Sequence, residues 1–139
     1  ESAYFPGGKD YENKGFVDNE LTHSAVRYEY FRNLYQSEPK LQLGGITFAW
    51  LNESIKALEM AYRDLHKVSI PILVLQAGDE SVIDNPAQDN FCQRLADLGN
   101  PCIGGGALRI DGARHEIFME TDDKRAHALA YIFDYFEAT

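Results

Sequence analysis

Two short segments carry the residues whose types and spacing could do chemistry. The first reads Gln76-Ala77-Gly78-Asp79-Glu80-Ser81-Val82-Ile83-Asp84 and offers a cluster of carboxylates; the second reads Asp111-Gly112-Ala113-Arg114-His115-Glu116 and offers a histidine. A carboxylate that accepts a hydrogen bond from His Nδ1–H fixes the ring tautomer and stabilises the imidazolium. Nε2 is then free to take a proton from a nucleophile. On spacing alone Asp79, Glu80 and Asp84 are all open as the acid, and the same three can form a solvated turn in which one caps the following helix. They do not match the alternating Asp/Asn pattern of a calcium loop. The other histidines read as structural or surface groups. His66 stands near a helix C-terminus, where the dipole favours a cation. His127 lies off the inner stripe of the last helix, and His23 precedes a helix in an acidic region. Cys92 and Cys102 are too few for a disulfide framework or a four-ligand zinc site, and are expected to be reduced core thiols. No metal and no cofactor is expected.

Loops of this kind need strands behind them. Residues 70–76, Ile-Pro-Ile-Leu-Val-Leu-Gln, form a short apolar run that suits a strand buried on both faces. Pro71 is tolerable at its start, where no ladder donor is lost. Asn85 and Pro86 read as a helix N-cap followed by proline at the first helical position. Phe91, Leu95 and Leu98 continue that helix, and Gly99 ends it in a left-handed conformation. Residues 107–111 make a second strand. Thr121 is expected to cap a final helix with Asp122 and Asp123 against its N-terminal dipole and with an inner stripe of Leu129, Ile132, Phe133 and Phe136. Strand, helix, strand, helix implies a parallel pair in an α/β fold. In such a sheet functional groups gather beyond the C-terminal strand ends, and neighbouring strands are ~5 Å apart, so the two loops can meet.

Composition shifts near residue 68, which divides the chain into 1–67 and 68–139. Residues 1–22 read as irregular, and residues 24–36 as a short helix carrying Val26, Tyr30 and Leu34. Gly44 and Gly45 break the chain, and Thr47 caps a helix with a stripe of Leu51, Ile55, Leu58, Tyr62 and Leu65. Two parallel strands alone leave long unpaired edges. The chain is therefore expected to be the C-terminal portion of a longer α/β protein, or to pair strands with a second copy.

The 139 residues are 45% apolar and carry a net charge of −9. That charge disfavours nucleic acid, whose phosphates are held by clustered Lys and Arg. No apolar run approaches the roughly 18–20 residues of a membrane span. No secretory leader pattern is visible, although the chain opens at Glu1 rather than Met. A nucleophile is the gap. A hydrolase of the α/β type needs Ser in G-x-S-x-G, followed along the chain by the acid and then the His. Ser2, Ser24, Ser37, Ser54, Ser69 and Ser81 all lack that glycine pattern. Cys92, inside an amphipathic helix, is a poor substitute.

The run Asn19-Glu20-Leu21-Thr22-His23-Ser24, then Arg27-Tyr28, resembles the cap-region signature of bacterial lysophospholipases, in the lysophospholipase and monoacylglycerol-lipase branch of the α/β-hydrolases. Gly44 to Leu51 resembles the cap-to-core helix. Val74-Leu75-Gln76 through Val82-Ile83-Asp84-Asn85 resembles the acid loop, and Gly112-Ala113-Arg114-His115-Glu116 the histidine loop. The resemblance implies His115 as the catalytic base. Counting back four places from Asp84 reaches Glu80 as the acid, with Asp79 one place off; Glu where the family commonly has Asp leaves both open. It further implies that residues 1–67 are a cap region and cap-to-core helix and 68–139 the C-terminal part of the hydrolase core. The serine elbow and oxyanion hole would then lie upstream.

The activity so implied is hydrolysis of the acyl ester of a lysophospholipid through an acyl-enzyme, the isolated chain being inactive. Monoacylglycerol is the alternative substrate, and a non-catalytic binding or assembly module the alternative of another class. Tyr28, Phe31, Phe48 and Trp50 are expected to line the substrate site. The expected location is cytoplasmic, with peripheral contact of the inner membrane through the apolar cap and self-association through an exposed sheet edge.

Overall fold

The computed structural model describes residues 3–138. Among the described residues, three helices and four short helical turns precede or separate two very short strands, and a fourth helix closes the chain. Helix α1 is Ala25–Ser37 and α2 is Phe48–Arg63. Strand β1, Leu75–Ala77, leads into α3, Asn85–Asp97, and strand β2, Leu108–Ile110, is followed by α4, Asp122–Ala138. The strands run parallel in the register Leu75 with Leu108, Gln76 with Arg109 and Ala77 with Ile110. Among the described residues no helix is long and apolar enough to cross a membrane.

The helix starts follow local chemistry. Ser24 accepts from the Arg27 N–H at the head of α1, and Thr47 Oγ1 accepts from the Trp50 N–H at the head of α2, each satisfying a donor that a first helical turn leaves unpaired. At the C-terminal end of α3, Gly99 has φ +86°, the left-handed region where glycine has no Cβ to clash. The start of α3 departs from expectation by one residue. Asp84 occupies the cap position without a side-chain cap bond, while Asn85 is already helical. Its amide Nδ2 donates instead to the Ala77 carbonyl at 2.9 Å, which ties the helix to the end of β1.

The strands are shorter than the apolar runs that contain them. Residues 71–74 are not part of the ladder, because Pro71 has no N–H and β2 offers only three partners. The extended chain is nonetheless pinned: the Leu108 N–H donates to the Val74 carbonyl and the Ile103 N–H to the Ile72 carbonyl, both at 2.8 Å. Successive side chains leave a strand on opposite faces. Ile72 and Val74 pack with Leu65, Cys92, Leu95 and Cys102 on the α3 side, and Leu75 packs with Ile110, Ala113 and Ala128 on the α4 side.

Three expectations are corrected. Cys92 and Cys102 are joined in a disulfide, not held as free thiols; the turn at Gly99 folds the chain back along α3 and brings their Cα atoms to 5.5 Å, within bonding range. The inner face of α4 is Ala128, Tyr131, Ile132 and Tyr135 rather than one including Phe133 and Phe136, which are exposed. Ala128 permits close approach to β2, and the face through it leaves 133 and 136 pointing outward. On α2, the expected stripe is covered only in part. Ile55 and Leu58 are exposed, and Leu65 lies beyond the helix in a turn where it is buried.

Candidate active site

The two loops emerge side by side from the C-terminal ends of β1 and β2. Their backbones continue the sheet for two residues: the Gly78 N–H donates to the Ile110 carbonyl at 3.0 Å and the Asp79 N–H to the Ala113 carbonyl at 2.8 Å. Glycine is required at 78. A Cβ there would stand 2.8 Å from the Ile110 oxygen and 2.9 Å from the Gly112 nitrogen, so any side chain would push the loops apart.

That close contact brings Glu80 and His115 together. His115 Nδ1 lies 2.9 Å from Glu80 Oε2. The other carboxylate oxygen, Oε1, accepts the Val82 and Ile83 N–H groups at 2.7 and 3.3 Å. Thus one oxygen fixes the shape of its own loop and the other meets the imidazole. The Glu80 side chain is 3% exposed and that of His115 27%. Burial of Glu80 works to raise its pKa, but the hydrogen bonds from His115, Val82 and Ile83 outweigh it and hold the carboxyl below its ordinary value. Glu80 therefore stays ionised near neutrality and demands a proton on His115 Nδ1, which presents Nε2 as the acceptor.

Asp79 is not brought to His115 in the same way. Its side chain is 62% exposed and points toward His23 Nε2, at 3.9 Å, and Arg114 Nε, at 3.7 Å. Asp84 caps the polypeptide turn into α3 without a side-chain bond. Ser24, Ser37, Ser54, Ser69 and Ser81 lie among the described residues, and Ser2 lies outside them.

The four aromatics expected at a substrate surface separate into two pairs. Tyr28 is buried and donates its hydroxyl to the Lys14 carbonyl at 3.1 Å. It lines, with Phe31, Leu21, Thr22, Glu116 and Met119, a cavity of about 40 Å³, which holds a few waters at most. Phe48 and Trp50 are 50% and 58% exposed. Trp50 borders an open apolar depression with Tyr4, Leu43 and Ile46, while Phe48 packs edge-on against Phe5 at 5.5 Å.

A second histidine–carboxylate contact had no signal in the sequence beyond an acidic residue ahead of a helix. Glu120 is fully buried, and its Oε1 lies 2.7 Å from His23 Nδ1. The same oxygen accepts the N–H of His23 at 3.2 Å and of Arg114 at 2.9 Å, and Oε2 accepts that of Thr121 at 2.9 Å. Burial works to raise the Glu120 pKa; the bonds from the Arg114 and Thr121 N–H groups and from His23 prevail and lower it. His23, itself exposed at the surface, is thus a structural contact that bonds a buried carboxylate. His66 bonds the Arg63 carbonyl and His127 packs on the Tyr131 ring.

A parallel strand pair, a crossover helix and an acid–histidine contact beyond the strand ends define a piece of an α/β-hydrolase. The chain belongs to the Hydrolase_4 family, described as serine aminopeptidase S33, whose model matches residues 8–122. It is 41% identical over 121 residues to "Lysophospholipase L2" of Escherichia coli (strain K12), covering 87% of this chain and 36% of that protein. The protein of the same name from Escherichia coli O6:H1 matches to the same extent. The "Probable lysophospholipase L2" of Haemophilus influenzae is 29% identical over 126 residues, covering 91% of this chain and 38% of its own length. The chain thus spans about a third of the length of the curated relatives it matches.

Proposed function

We propose that the whole protein is a serine esterase that cleaves the acyl ester of a lysophospholipid through an acyl-enzyme. The observation that carries this reading is the His115–Glu80 contact at 2.9 Å, in a chain similar to proteins named lysophospholipase. Glu80 orients His115 and stabilises its imidazolium. His115 Nε2 takes the proton of the attacking serine hydroxyl and then delivers it to the leaving glycerol oxygen. The nucleophile and the oxyanion donors are assigned to a segment outside these 139 residues, since none of the six serines here has the G-x-S-x-G setting.

Substrate contact is assigned to the half-exposed Phe48 and Trp50 and the apolar depression beside them, because contiguous exposed apolar surface favours a lipid or protein partner. Tyr28 and Phe31 back the cap behind the His115 loop. The same depression supports peripheral contact with a membrane. The unpaired outer edges of the two-stranded sheet, among the described residues, support self-association of the isolated chain.

The test is His115→Ala in the full-length protein, assayed on a lysophospholipid and a monoacylglycerol of equal acyl length. The proposal expects nearly complete loss of kcat and preference for the lysophospholipid; undiminished turnover would falsify the assignment of His115.

A further inference from the structure

His115 is held by its neighbours as much as by its strand. The Arg114 N–H, one residue before it, donates to Glu120 Oε1 at 2.9 Å, and the Arg114 guanidinium donates to the Asn19 carbonyl at 3.0 Å. One residue after it, the Glu116 N–H donates to the Leu21 carbonyl at 2.9 Å. The histidine loop is therefore strapped on both sides to the segment 19–23, and Glu120 adds a further tie by joining the Arg114 N–H to His23. Beyond Arg114 it receives the His23 ring and backbone and the Thr121 N–H. Its own carbonyl accepts from Arg27 Nη1 of α1 at 2.6 Å. Thr22 Oγ1 donates to the adjoining Met119 carbonyl at 2.6 Å.

We propose that Glu120 is a positioning residue for His115, a buried carboxylate that locks the histidine loop, the segment before α1 and the head of α4 into one unit. This rests on His115 being the catalytic base. The chemistry requires a carboxylate in particular. With His23 protonated at Nδ1, every polar partner of the side chain is an N–H donor, three on Oε1 and one on Oε2, and a buried donor left without an acceptor is costly. Glutamine has the same shape but must present its NH₂ to one set of those donors. The unit also couples the cap segment to the base: displacement of residues 19–23 is transmitted to His115 through Arg114 and Glu116.

The test uses Glu120→Gln in the full-length protein, with circular dichroism as the check on folding. Two readouts report position directly: amide exchange at Arg114 and Thr121, and the His115 Nδ1–H resonance in histidine-labelled protein. The variant is expected to speed exchange of whichever of these two amides faces the new NH₂, and to weaken the Nδ1–H signal. It should lower kcat by about 100-fold, the order expected for a misplaced catalytic group, with KM changed little. A folded Glu120→Gln protein with native amide protection, native Nδ1–H signal and native kcat overturns the proposal. If the variant does not fold, the wild type decides: rapid exchange of the Arg114 amide relative to the protected sheet amide of Gly78 overturns it, and protection of both supports it. A protein in which the exchange results hold but His115→Ala keeps full activity would leave the strap intact and remove the esterase reading instead.

Discussion

Glu80 and His115 come from loops 35 positions apart, yet Oε2 of one lies 2.9 Å from Nδ1 of the other. Gly78 makes that separation attainable, because it lets the acid loop lie directly on the backbone of residues 110–112.

Replacement of Gly78 by Ala should therefore be disruptive in a measurable way. The new Cβ meets backbone oxygen and nitrogen rather than a flexible side chain, so the strand ends must separate. A loss of about 1–3 kcal/mol is expected, as for overpacking in a close-packed interior. Chemical denaturation measures it, and an unchanged midpoint would show that the loops are not in contact at this residue.

Acid should destabilise the chain through two identified carboxyls. Glu80 and Glu120 both have pKa values lowered from 4.5 in the folded state. In the unfolded chain each takes up its proton at a higher pH than in the fold. Their contributions to stability are thus fully present above about pH 4.5 and fade as pH falls through the lowered values. Wild-type stability should drop as pH falls below 4.5, and the drop should be smaller in Glu120→Gln, which has no carboxyl to protonate at that position. Parallel curves for the two proteins would contradict this origin.

The Cys92–Cys102 bond encloses a short loop that ends α3 and leads toward β2. Cross-linking over such a separation restricts the unfolded chain, a contribution of about 2–4 kcal/mol. Dithiothreitol should lower Tm, and the Cys92→Ser, Cys102→Ser double variant should reproduce the reduced protein's Tm and no longer respond to reductant. A wild-type Tm indifferent to reductant, with both thiols shown to be free, would restore the reduced state expected from composition.

Much of the scaffold was readable because it depends on neighbours along the chain. The Thr47 cap, the left-handed Gly99 and the parallel pairing of residues near 75 and 108 all follow from residue type and short-range order. What escaped depends on partners distant in sequence. Periodicity shows that α4 has an apolar side, but not that a small residue, Ala128, would face β2 and turn Phe133 and Phe136 outward. Two cysteines ten residues apart reveal nothing of the reversal at Gly99 that joins them. At the site, spacing left three carboxylates in play. The structure separates them by burial, with Glu80 covered and bonded to His115 and Asp79 exposed beside His23 and Arg114. Glu120 gave no local sign of its burial, because its four donors come from residues 23, 114 and 121.

Glu80, and not its neighbour Asp79, is the group assigned to orient His115. The direct measurement is lysophospholipid turnover by full-length Glu80→Ala and Asp79→Ala proteins, compared with wild type at saturating substrate. Glu80→Ala should lose about 10⁴-fold in kcat, the order seen when the orienting acid of a serine triad is removed, while Asp79→Ala should stay within about tenfold, as befits an exposed residue outside the proton-transfer path. Near-normal kcat for Glu80→Ala together with collapse of Asp79→Ala would contradict that assignment.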